Sequence, residues 1–440
     1  MKKERPENKS RQPQEKSSRP ASKKEKHHMS PRCTRYILTG LMILAICGVS
    51  VLVFVTIHNR SEFPVMAVGQ VISSPAAEES SAAMTEEPTE APTEAPSTEP
   101  EPLLTPEEQA RELLKDMTLE EKVWQMMFLS PGQMKDEAGK QLPAGAVYFG
   151  PEDLSSRAAL SKNLDTLQKN AEIPLLVGTS EEGGSMAPLS ALGITDATDP
   201  MSVVGEAGDP KKAEEIGKTL GSQMKEAGFH FNLAPLADVV TNFYNPVLED
   251  RRFSEDENVT AGMVTAMVKG LQDSGIASCL KHFPDFGSAA MEGGRYQTYR
   301  SLEELQGLEL IPFQAGIDAG AEMVLVSNMS ALVITGDYTT PCSMDQDLIS
   351  GTLRKDMKFD GVILSDFQNT DTITRNFSAG DAAVHVVSAG CDAILLPADA
   401  QAAVQAVLDA VKDGTLTEKQ IDDSVYRILL LKGRYGLLTE

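Results

Sequence analysis

A chain of 440 residues is long enough for two domains, and its net charge of −24 is carried on a composition that is 41% hydrophobic. The charge is uneven, because residues 1–35 hold twelve Lys/Arg against four Asp/Glu and leave −32 on everything after them. So acidic a body argues against nucleic acid as a partner, since phosphate binding needs clustered cations, and discourages close binding to anionic lipid.

In chain order, residues 1–35 form a basic tail. From Tyr36 to Ile57 run 22 residues without a formal charge, about enough at 1.5 Å each to cross a ~30 Å hydrocarbon layer. The sequence predicts a transmembrane helix here. Arg32 and Arg35 just before it place the N-terminus in the cytoplasm and the body outside the cell, in a single-pass cell-membrane protein. A cleaved signal peptide is the alternative, but the apolar run exceeds the usual ~7–15 residues and no small-x-small cleavage site stands out. Residues 58–103 culminate in TEEPTEAPTEAPSTEPEP, too poor in apolar surface to fold, and read as a disordered stalk. Extended, its roughly 45 residues at ~3.1 Å each reach at most about 140 Å, which suits a cell-wall substrate.

The folded domain is expected over residues 104–440. Thr105-Pro-Glu-Glu108 and Thr118-Leu-Glu-Glu121 are two capping boxes, so two helices open the domain. The apolar run with Val123, Trp124, Met126 and Met127 reads as core packing of the second. Strands are predicted at residues 145–150, 174–180, 229–235, 277–283, 321–328, 361–366 and 391–397. The segments between them read as helices at 211–227, 257–274, 302–319, 345–357, 379–389 and 400–413. Such alternation implies an α/β fold with a parallel sheet under helices: a TIM-like (β/α)8 barrel with one strand short or irregular. An open doubly wound sheet is the alternative, although no Gly-rich nucleotide fingerprint follows the first strand. Five cysteines are present, three of them (Cys279, Cys342, Cys391) in the body, so one disulfide is the most that can form there.

In such barrels chemistry gathers at the C-terminal strand ends. Polar residues mark five of them: Ser180-Glu181-Glu182, Asp238, Lys281-His282, Ser327-Asn328 and Ser365-Asp366. Asp366 follows the apolar run Gly361-Val-Ile-Leu-Ser, and two readings stand: the N-cap of the next helix, or a carboxylate placed to attack an anomeric carbon. Lys281 suits hydrogen bonding to sugar hydroxyls or a Schiff base. The six histidines show no ligand spacing, and neither metal nor cofactor is expected.

Met117-Thr-Leu-Glu-Glu-Lys122, Glu182-Gly-Gly, Asn232-Leu-Ala-Pro-Leu-Ala-Asp238, Asp250-Arg-Arg-Phe253, Lys281-His-Phe-Pro284 and Gly361-Val-Ile-Leu-Ser-Asp366 follow one another in the order typical of glycoside hydrolase family 3. The resemblance is to its single-domain β-N-acetylhexosaminidase branch. It implies hydrolysis of O-glycosyl bonds with Asp366 as nucleophile, and Arg251, Lys281, His282, Glu182 and Asp238 as substrate-binding residues. The implied substrate is a β-linked N-acetylglucosamine glycan such as peptidoglycan fragments. Two departures stand out. The family's Lys-His-Phe-Pro-Gly-His-Gly-Asp, with a later Asp-Ser-His whose His is the acid/base, becomes Lys281-His-Phe-Pro-Asp285-Phe286, with Glu292 and Gly294 at the later positions. The family's Asp-Gln-Glu-Gly-Gly-Arg becomes Ser180-Glu-Glu-Gly-Gly-Ser185. Glu292 or Asp285 is the substitute proton donor on this reading. The alternatives are a catalytically impaired glycan-binding scaffold and a lyase that uses Lys281.

Overall fold

The computed structural model describes residues 104–242 and 245–438. Both predicted capping boxes form. The Thr105 hydroxyl accepts from Glu108 N at 3.3 Å while the Glu108 carboxylate accepts from Thr105 N at 2.9 Å, opening the helix Pro106–Asp116. Thr118 and Glu121 do the same for Leu119–Gln125.

The apolar run that follows does not continue as helix. Met127–Leu129 is a strand, β1, entirely buried, and supplies the member missing from the expected seven. The other strands are β2 (Ala146–Tyr148), β3 (Leu176–Thr179), β4 (Phe231–Asn232), β5 (Ala277–Phe283), β6 (Ala290–Glu292), β7 (Arg295–Thr298), β8 (Met323–Val326), β9 (Ser330–Ala331), β10 (Val362–Ser365) and β11 (Ile394–Leu395). Eight of these run parallel in the order β1, β2, β3, β4, β5, β8, β10, with β11 on the other side of β1. A parallel bridge between Leu364 and Ala393, with Ser365 N donating to Ala393 O at 3.0 Å, joins β10 to the approach of β11 and closes the ring. The doubly wound alternative falls, because its sheet would be open.

The helices lie where the apolar periods placed them, including Pro210–Glu226, Glu257–Asp273, Ala379–Ala389 and Ala400–Asp413. The segment predicted as one helix over 302–319 is two, Leu302–Gln306 and Leu310–Asp318. Barrel packing depends on unequal side chains across neighbouring strands: a Cβ at Gly178 of β3 would lie 2.1 Å from the Phe231 ring of β4, so glycine leaves room for that ring beside Phe128 of β1, 5.8 Å away between centroids. Cys279, Cys342 and Cys391 are free and buried.

Three expectations find no support in the described residues: the transmembrane helix in the fold, the membrane as a partner, and the cell-membrane location with an extracellular barrel. Among the described residues no helix is long and apolar enough to cross a membrane. The predicted tail, span and stalk of residues 1–103 lie outside the described residues.

Beside the barrel lies a small three-stranded sheet over residues to which sequence patterning assigns no strand. β6 and β7 form an antiparallel hairpin closed by the pair Glu292–Arg295. Gly293 and Gly294 turn it with φ of 59° and 83°, the doubly positive backbone of a tight two-residue turn. β7 then pairs in parallel with β9.

Candidate functional site

A cleft of about 420 Å³ opens at the C-terminal ends of the barrel strands, within the usual size range of a small-molecule pocket. Asp366 lines it directly beyond β10. The next helix, Asp371–Thr374, begins too far on for Asp366 to cap it. Its carboxylate instead accepts backbone N–H groups from Phe367 at 2.8 Å and Asn328 at 3.3 Å, and these fix its direction.

Glu182, at the exit of β3, collects both cations of the cleft. Arg251 grips it through Nε and Nη2, each at 2.7 Å, and Lys281 Nζ lies 2.5 Å from Oε1. Burial alone would raise the Glu182 carboxyl, but Lys281 and Arg251 outweigh it and hold the group down at about 2. Arg251 also donates to Val247 O at 3.2 Å, and Lys281 reaches the Ser180 hydroxyl at 3.4 Å. Neither cation is exhausted, since guanidinium carries five N–H donors and ammonium three.

His282 joins Lys281 on the cleft wall. Neighbours on a regular strand face opposite sides, but the pairing of β5 with β8 shifts register between Leu280 and Phe283, and the irregularity lets both side chains reach the cleft. Asp238 stands behind the imidazole. It is 0% exposed, accepts from His282 N at 3.0 Å and contacts Nδ1 at 2.8 Å, so it orients the ring without lining the cleft. Because a carboxylate only accepts, Nδ1 is the donor to it.

Of the predicted residues, therefore, Asp366, Arg251, Lys281, His282 and Glu182 are brought together, with Asp238 one shell out. The two candidate donors are elsewhere. Glu292, on the hairpin, accepts from Gln297 Nε2 at 2.6 Å and the Tyr299 hydroxyl at 2.9 Å, and does not line the cleft. Asp285 is fully buried, accepting Val239 N at 3.0 Å and Ser288 N at 2.8 Å. Burial and then neighbouring Asp238 push its carboxyl well above the usual range.

Sequence reasoning missed Tyr148, the last residue of β2, and Glu152 just beyond it, both of which line the cleft. The Tyr148 hydroxyl bonds to Ser180 at 3.0 Å. Burial first, then the nearby carboxylates of Glu182, Glu152 and Asp366, raise its pKa. The available signal was the polar exit of that strand, Tyr148-Phe-Gly-Pro-Glu152, which belonged with the other strand ends.

Residues 118–431 match the model of the glycosyl hydrolase family 3 N terminal domain. A β-N-acetylglucosaminidase/β-glucosidase of Cellulomonas fimi is 25% identical over 342 residues, which cover 74% of this chain and 59% of that protein. The chain thus spans about three fifths of that relative. A β-hexosaminidase of Xanthomonas euvesicatoria is 31% identical over 279 residues, covering 60% of this chain and 79% of its own. Among solved structures, a family 3 β-N-acetylglucosaminidase from Paenibacillus superposes with a TM-score of 0.68 at 29% identity, covering 74% of this chain and 64% of the other. A β-N-acetylhexosaminidase from Beutenbergia cavernae gives 0.63 at 26% identity, covering 72% and 99%.

Proposed function

The chain belongs to glycosyl hydrolase family 3, and we propose that it is a retaining exo-glycosidase of the β-N-acetylhexosaminidase branch, cleaving terminal β-linked N-acetylglucosamine with Asp366 as nucleophile. The observation that carries this reading is the Asp366 carboxylate, held by two backbone N–H groups in the same cleft as Lys281, His282 and Arg251. Asp366 attacks the anomeric carbon and forms a glycosyl-enzyme, which water then hydrolyses. The free donors of Lys281 and Arg251 and the Nε2 of His282 hold ring hydroxyls. Met186, Leu233 and Val247 add apolar lining that suits an acetamido methyl.

Aryl β-N-acetylglucosaminides test this directly. Wild-type chain is expected to release the aglycone with retained anomeric configuration, and Asp366→Ala to abolish release. An activated fluorosugar is expected to leave one covalent adduct, mapped by peptide mass to Asp366. Cleavage unaffected by Asp366→Ala sinks the reading.

A second reading, a glycan-binding protein without turnover, is favoured by Gly294 standing where relatives of this branch carry the acid/base His. It predicts saturable binding of N-acetylglucosamine oligosaccharides by wild-type chain with no hydrolysis of even the most activated aryl glycoside.

A further inference from the structure

We propose, resting on the reading of Asp366 as nucleophile, that Glu152 is the general acid/base of the cleft. A retaining glycosidase needs a second carboxyl beside the scissile bond to give a proton to the departing oxygen and take one from water. Three carboxyl residues line this cleft: Glu152, Glu182 and Asp366. Glu182 is committed to Lys281 and Arg251. Glu152 has no hydrogen-bond or ion-pair partner among the described residues, and its charge, like that of Asp366, acts on the Tyr148 hydroxyl. It enters from the exit of β2, whereas Asp366 enters from β10, with β1 and β11 between them in the ring. The two carboxylates therefore approach the cleft from different parts of its rim.

The local chain holds Glu152 there. Pro151–Asp153 is a single tight helical turn whose Asp153 carboxylate accepts Gly150 N at 3.0 Å. The Glu152 side chain folds back over Gly150, so that a Cβ at Gly150 would lie 2.5 Å from Glu152 Oε1. Gly150 is thus a positioning residue, empty where the carboxyl must rest.

In the first step Asp366 forms a bond to the anomeric carbon, the bond from that carbon to the aglycone oxygen breaks with its electron pair on oxygen, and the Glu152 carboxyl proton moves to that oxygen. In the second, water attacks the same carbon, its proton passes to the Glu152 carboxylate, and the bond to Asp366 breaks. The net change is glycoside plus water to sugar plus alcohol, with both carboxyls restored.

Leaving-group dependence is the test, with full-length chain. Glu152→Gln is expected to slow disaccharide or alkyl glycosides roughly 10²–10⁴-fold, while first-step cleavage of dinitrophenyl glycosides, which leave without a proton, persists. Azide should then restore turnover of the activated substrate and yield a β-glycosyl azide, and the alkaline limb of the kcat/KM profile should disappear. Gly150→Ala, at a φ of −74° that alanine accepts, should show the same selectivity in weaker form by displacing the carboxyl. Glu292→Gln should keep the wild-type dependence. Equal or absent loss across leaving groups in Glu152→Gln, or selective loss in Glu292→Gln, overturns the proposal. Activity surviving Asp366→Ala is a separate result that removes the nucleophile and the donor with it.

Discussion

Glu182 carries more of the cleft than its place in a short Glu-Gly-Gly motif suggests. One buried carboxylate pairs with both Lys281 and Arg251, whose side chains are only 4% and 12% exposed and would otherwise be poorly solvated cations without a partner. Glu182→Gln leaves both with a neutral amide and is expected to destabilise the fold by about 3–5 kcal/mol, the usual cost of removing one partner of a buried ion pair. Urea midpoints measure it, and a loss within error of zero would mean that water reaches the pair. The identities of Asp366, Lys281, His282, Arg251 and Glu182 were legible because strand-end position and motif order coincide. The contact between Glu182 and Arg251 was not, since 69 residues separate them in sequence.

Secondary-structure elements explain what was and was not readable between those residues. Helices with two or more turns announce themselves by period and caps, and the predicted ones lie within a few residues of the observed bounds except over 302–319, which is two helices rather than one. β1 was lost because three consecutive buried residues, Met127-Phe-Leu129, follow a helix with no turn signal and carry no period of their own. The β6–β7 hairpin was legible in principle, because Gly293-Gly294 is a two-residue hairpin signal. It matters because it draws Glu292 into a local network with Gln297 and Tyr299. Within the barrel, Gly178→Ala tests the packing of β3 on β4. The added methyl meets the Phe231 ring, and the expected cost is about 1–3 kcal/mol, read as a lower thermal midpoint. Phe231→Leu in the same chain should recover part of it, whereas a neutral Gly178→Ala would show that the ring has room to move.

At the scale of the whole molecule, one buried cation among the described residues has no acidic partner. Lys432, on the last helix, is 0% exposed and donates to Gln125 Oε1 at 2.7 Å, and burial lowers its pKa from 10.5 to about 7. In the unfolded chain the amine stays protonated up to the higher value, so between about pH 7 and 10.5 the unfolded state binds more protons and this residue's penalty shrinks as pH rises. Lys432→Met is therefore expected to gain stability over wild type near pH 7 and to lose part of that advantage by pH 10. A difference that stays constant with pH would mean the amine is not desolvated in the fold.

Sequence alone determined the alternation of strand and helix, the caps that start the domain and the family, because these depend on local period, on residues three apart and on motif order. Tertiary structure decided ring closure through Leu364 and Ala393, the sharing of Glu182 between two cations, and which carboxyls reach the cleft. Each of those is a distance between segments far apart in the chain, set by how eight short strands tilt and pack into one barrel, and no local pattern encodes it.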